Sequence, residues 1–147
     1  MARCCLNSPV SEWIKKAEED YGVALTLRRP RRYAAHNAAC FHAQQCVEKY
    51  LKAILEKRGI VIRKIHALPV LLEQCVEVYP LLIGMRPDMV RLSVYAVEFR
   101  YPGESATLED ARDAVSIMKK SRKELRMALG FPTDKTSEKP AGKPGKR

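Results

Sequence analysis

Gln45, Glu48 and Lys52 recur at i, i+3 and i+7 within the run Tyr33–Glu56, so on a helix they form one polar stripe. Beside it lies a mostly apolar face of Ala39, Ala43, Cys46, Tyr50 and Ile54. An amide, an acid and a base on one face suit a polar pocket or a dimer seam. The plainer alternative is a helix-surface ion pair, because Glu48 and Lys52 stand at i, i+4 in the favourable order, worth roughly 0.2–0.5 kcal/mol. Lys49, one position off the stripe, is expected in solvent. Further along, Phe99-Arg100-Tyr101-Pro102-Gly103 sets a guanidinium beside an aromatic ring and a turn. Arg100 can grip a phosphate in bidentate fashion, but it stays protonated and cannot shuttle a proton. A structural ion pair with Glu48 or Glu98 is its other reading. Tyr101 can stack on a base or anchor the Pro-Gly turn by packing. His66 either hydrogen-bonds the connection it lies in or approaches Arg100 as an imidazole of variable charge.

The 147 residues favour one domain with a core large enough to need neither disulfide nor metal. No apolar run approaches the ~18 residues that span a bilayer. The first ten residues contain no apolar signal segment, so a cytoplasmic protein is expected. Five cysteines (Cys4, Cys5, Cys40, Cys46 and Cys75) form no C-x-x-C pair and read as reduced, packed thiols. Neither they nor His36, His42 and His66 have zinc-ligand spacing, and no metal or other cofactor is expected. The net charge of +10 suits RNA, DNA or nucleotide phosphates and by itself identifies none of them.

The elements that must position these groups are helices. A first runs from Ser11, read as its N-cap, to about Leu27, with Trp13, Ala17, Tyr21, Ala24 and Leu25 buried. Arg28-Arg29-Pro30-Arg31-Arg32 ends it. The second, carrying the polar stripe, closes at Gly59. Ile60-Val61-Ile62 reads as a packed connector. A third helix has Pro69 in its first turn and ends at Val78, and Tyr79-Pro80-Leu81-Leu82 breaks the pattern. A fourth follows Pro87 and buries Met89, Leu92, Ala96 and Phe99. Thr107 and Asp110 form a capping box for the last, which buries Ala111, Ala114, Val115, Met118, Leu125 and Leu129 before Gly130 and Pro132. Residues 132–147 are rich in Lys, Pro and Gly and read as a disordered basic tail. The expected architecture is therefore all-α, an up-and-down bundle of four or five helices over residues 11–131.

The segment AACFHAQQCVEKYLKAIL (residues 38–55), followed by His66-Ala67-Leu68 and then Arg100-Tyr101-Pro102, resembles the HEPN family, named for nucleotide-binding domains of higher eukaryotes and prokaryotes. The resemblance covers residues 11–130, including Trp13-x-x-x-Ala17-x-x-Asp20. It implies a four- or five-helix bundle, commonly a homodimer, often encoded beside a minimal nucleotidyltransferase. Many members are metal-independent RNases whose Arg is followed four to six residues later by His, with two such motifs facing across the dimer. Here no histidine follows Arg100 through Thr107. Arg31 and Arg29 stand at a fitting distance before His36, but between the first two helices, outside that layout.

The resemblance thus implies a non-catalytic protein that binds nucleotide or nucleic-acid phosphate, as partner of a minimal nucleotidyltransferase in a toxin–antitoxin-like system. Arg100 and Tyr101 would contact the ligand, with Gln45, Glu48, Lys52 and His66 shaping the cleft. Two alternatives stay open. One is a metal-independent RNase in which Arg100 acts with a displaced histidine, His66 or His36. The other is a pure dimerisation and assembly module.

Overall fold

The computed structural model describes residues 8–29, 34–62 and 64–131. Five α-helices form an all-α up-and-down bundle: α1 (Pro9–Leu27), α2 (His36–Lys57), α3 (Leu68–Val78), α4 (Arg86–Glu98) and α5 (Leu108–Ala128). The expected tail, residues 132–147, lies outside the described residues, as do Cys4, Cys5, Arg31 and Tyr33.

Helix α1 starts earlier than expected. Its N-cap is Ser8 rather than Ser11: the Ser8 hydroxyl accepts the Ser11 N–H at 3.2 Å, and Pro9 takes the first turn, where a missing N–H costs nothing. Gly59 ends α2 as expected, with φ +68°. Around it Gly59 N–H donates to Glu56 O at 3.0 Å and Ile60 N–H to Leu55 O at 2.9 Å, the paired bonds of a Schellman motif. The same pair closes α5, from Gly130 to Met127 and from Phe131 to Arg126. The break after Val78 is not a loop. A short 3-10 helix, Pro80–Met85, carries the chain into α4.

Helix α2 is the centre of the bundle and packs against α1, α3, α4 and α5. Tyr50, Leu51, Ile54 and Leu55 are fully buried among Leu68, Leu72, Met89, Leu92 and Met118 of its neighbours. Cys40, Cys46 and Cys75 are free thiols within this core. Burial pushes Cys40 and Cys75 up to about 12 and raises Cys46 as well, so all three stay protonated.

Two carboxylates of α1 dock it onto α2. Asp20, 7% exposed, accepts from His42 Nδ1 at 2.7 Å and from Lys49. Lys49 is therefore a docking residue, not the solvated one expected. Glu18 accepts from the buried Tyr50 hydroxyl, from Arg122 Nε at 3.0 Å and from Arg126 Nη1 at 2.8 Å, joining α1, α2 and α5. Burial first, and Glu18 second, push the Tyr50 phenol upward, so Tyr50 remains a donor.

The capping box of α5 is formed as read: Asp110 N–H donates to Thr107 Oγ1 at 3.1 Å, and Thr107 N–H to Asp110 Oδ2 at 2.8 Å. Thr107→Ala should lower stability by about 1 kcal/mol in urea titration, with an unchanged m-value.

Candidate functional site

The expected polar stripe of α2 is not a surface ion pair. Glu48 and Lys52 are only 3% and 6% exposed. A carboxylate at that depth needs partners on both oxygens, and the local sequence supplies them. Oε1 accepts from Lys52 Nζ at 2.7 Å and from His66 Nδ1 at 2.9 Å. Oε2 accepts from Gln44 Nε2 at 3.1 Å and from Gln45 Nε2 at 3.3 Å. Gln44 Nε2 also reaches the His66 carbonyl at 3.2 Å, and Gln45 Nε2 reaches Gln44 Oε1 at 2.8 Å. Lys52 is covered on its far side by the Trp13 ring, 5.4 Å from its ammonium. Burial opposes the Glu48 charge. The bonds from Lys52, His66 and Gln44, with the Lys52 charge, outweigh it and hold this carboxyl below its ordinary value.

Above this network opens a cleft of about 350 Å³ between α2, the 64–68 connection and α4. Gln44, Gln45, His66, Ala67, Pro69, Ser93, Ala96, Val97 and Arg100 line it. Of the residues singled out in the sequence, Gln45, His66 and Arg100 thus line one cleft from three parts of the chain. Glu48 and Lys52 lie beneath and orient it without lining it. Tyr101 is 68% exposed and does not line the cleft, so it is not the packing anchor of the turn.

Arg100 stands just beyond the end of α4. Its guanidinium lies over the Phe41 ring at 5.4 Å, and among the described residues it has no carboxylate within ion-pairing distance. The ion pair with Glu48 or Glu98 is therefore not formed. Phe41 is on the α2 face that also presents Gln45 and Glu48, so the same face fixes the carboxylate and supports the cation. Beyond Arg100 a smaller cavity of about 280 Å³ is bordered by Asn37, Phe41, Tyr95 and Phe99. The His66 side chain is 74% exposed, with Nδ1 committed to Glu48 and the opposite ring edge open.

Two residues were missed in the sequence. Ser93 Oγ is buried at the cleft wall without a hydrogen-bond partner among the described residues. It lies seven residues before Arg100 with Val97 between them, a helical spacing from which it was readable. Gln44 is the amide that ties α2 to the connection. His36 opens α2, with Nδ1 buried and unpartnered among the described residues, and does not line the cleft. Among the described residues no group of His, Cys, Asp and Glu could hold a metal ion. No described helix is long and apolar enough to cross a membrane.

A five-helix bundle organised around this α2 stripe defines the class. The chain matches the HEPN domain profile over residues 10–127 and belongs to that family. Over 52 residues it is 44% identical to a protein of Methanocaldococcus jannaschii named Putative toxin MJ1304, a match spanning 35% of this chain and 32% of that one. The bundle is similar to the crystal structure of TT1696 from Thermus thermophilus (TM-score 0.70, 24% identity, 82% of this chain and 98% of that chain). It is also similar to that of ST0689, an archaeal HEPN homologue (TM-score 0.59, 23% identity, 84% and 98%).

The Glu48 shift carries a sign. Its folded pKa lies below the ordinary 4.5, so its ionised form contributes stability that is fully present above that pH. This contribution is lost as pH falls through the folded value. Glu48→Gln should cost about 3 kcal/mol near pH 7, because Lys52 is left buried without its counter-charge. The difference between wild type and variant should shrink as unfolding is measured at progressively lower pH. A gap that stays constant below pH 4.5 would contradict this assignment.

Proposed function

We propose that this HEPN-domain protein binds the phosphate of a nucleotide or of RNA in the α2–α4 cleft, as the non-catalytic member of a toxin–antitoxin-type pair with a minimal nucleotidyltransferase. The observation that carries the reading is Arg100, a cation without a carboxylate partner among the described residues, held on an aromatic ring at the rim of a cleft. Gln45, His66 and the unpartnered Ser93 hydroxyl supply neutral polar groups on the same walls, while Ala67, Ala96 and Val97 offer an apolar surface for a base or sugar. Exposed Tyr101, next in sequence to Arg100, is available for stacking. The toxin–antitoxin setting is supported by the name of the relative, of which the match spans about a third, and the pairing with a nucleotidyltransferase rests on the family resemblance.

The homodimer expected of this family has a candidate face here. Val90, Val94 and Val97 are exposed at i, i+4 and i+7 along α4, and Val97 also lines the cleft. A second copy seated there would deepen the cleft.

A metal-independent RNase is the second reading, favoured by one observation. The Glu48 carboxylate orients the His66 imidazole at 2.9 Å, and His66 lines the same cleft as Arg100. Cleavage by transesterification needs one group to take the 2′-hydroxyl proton and another to protonate the leaving oxygen. His66 would take the first role, and the copy facing it across a dimer would provide the second.

Arg100→Ala should weaken nucleotide or RNA binding about 10- to 100-fold, as for loss of a hydrogen-bonded charge, with an unchanged melting temperature. In the same tubes, labelled single-stranded RNA in a chelator should stay intact. Cleavage abolished by both Arg100→Ala and His66→Ala would replace the binding reading with the nuclease one. Binding and cleavage both absent would leave the assembly module.

A further inference from the structure

We propose that the outward ridge of α5 is a track for the phosphate backbone of single-stranded RNA, separate from the Arg100 cleft. Arg112, Lys119 and Lys123 are all exposed, and at 3.6 residues per turn they fall within about 40° of one another around the helix. Their row extends about 16 Å along the axis.

Asp113, Asp88 and Glu18, which flank this ridge, are engaged by other cations, whereas Glu109 and Glu124 of α5 have no ion-pair partner among the described residues. On the α4 side, Asp113 accepts from Arg91 and from the Tyr95 hydroxyl at 2.7 Å, while Asp88 takes Lys120 at 3.4 Å. On the α1 side, Glu18 takes Arg122 at 2.9 Å and Arg126 at 2.8 Å. Arg112, Lys119 and Lys123 have no ion-pair partner among the described residues. Their charges therefore add along one line, offset in part by Glu109, three residues before Arg112, and by Glu124, next to Lys123.

The ridge also lacks what a protein partner would need. Protein interfaces are built on an apolar centre with charge at the rim. Between Leu108 at one end of α5 and Met127 at the other, no large apolar side chain of this helix is exposed. A row of cations without an apolar anchor suits evenly spaced phosphates, which are read by charge and not by sequence.

This extends the RNA half of the reading above, and the test keeps the two surfaces apart. The full chain is titrated with a labelled oligouridylate long enough to span the ridge, and separately with uridine monophosphate, at several salt concentrations. The variants are the triple Arg112→Gln, Lys119→Gln, Lys123→Gln; Arg100→Ala; and Lys15→Gln, Lys16→Gln, Arg29→Gln, exposed on and just after α1, as a control for the same change in net charge. The triple variant should lose oligouridylate affinity on the order of tenfold, and the slope of log K against log salt should fall by about 2. Its monophosphate binding should be unchanged, and the α1 control should keep most of the oligouridylate affinity. Loss of monophosphate binding in Arg100→Ala alone would test the cleft independently, so either surface can fail without the other. An unchanged salt slope in the triple variant, an equal loss in the α1 control, or ridge-dependent capture of polyglutamate without RNA would overturn the proposal.

Discussion

Glu48 is the constraint on which the rest of the site depends. A carboxylate buried in the central helix is tolerated only when both oxygens are satisfied. Satisfying them fixes three things at once: the Lys52 side chain on the same helix, the amides of Gln44 and Gln45, and the imidazole of His66 on a connection with no regular structure. Gln44 doubles the tie by reaching the His66 carbonyl. The 64–68 connection is thereby held against α2, which places Ala67 and Pro69 as one wall of the cleft. A buried pair of this kind contributes little net stability compared with apolar side chains of equal volume. Its effect lies in position, because one arrangement satisfies all its groups.

The docking of α1 follows the same logic at shallower depth. Trp13, Ala17 and Asp20 occur at helical spacing, and each meets α2 differently. Trp13 covers the Lys52 ammonium, Ala17 is fully buried and lets the helices approach, and Asp20 receives His42 and Lys49. Glu18 then extends the contact to α5 through Tyr50, Arg122 and Arg126. A strongly basic chain thus uses several of its few acids as internal junctions. Cations beyond those junctions are left facing water.

Much of the fold was legible because helical periodicity and helix ends are local signals. The stripe of α2, the Thr107 capping box, Pro69 in the first turn of α3 and the glycines after α2 and α5 all read directly from neighbouring residues. The start of α1 was misplaced because Ser8 and Ser11 are equally good caps in sequence, and the choice depends on Pro9 fitting the first turn. The site was half legible. Gln45, His66 and Arg100 share a cleft, but the sequence could not tell that Glu48 and Lys52 lie under its floor, since i, i+4 spacing is the same on a buried face as on an exposed one. Lys49 was misread for a related reason: its partner Asp20 is distant in sequence. Ser93 was overlooked although its helical spacing to Val97 and Arg100 places it on their face of α4, because a serine between apolar residues draws no notice by itself.

The three core cysteines have a consequence for how the bundle's motions can be followed. Cys40 and Cys46 lie on α2 and Cys75 on α3, all fully buried and with thiols held protonated by their surroundings. A thiol reagent attacks only an accessible thiolate, so in the closed bundle these side chains are chemically silent. Labelling them requires the helices to separate. Because Cys75 sits on α3 and the other two on α2, their relative labelling rates distinguish α3 peeling away alone from opening of the whole core. The protein thus carries, in ordinary packing residues, a native record of which part of it opens first.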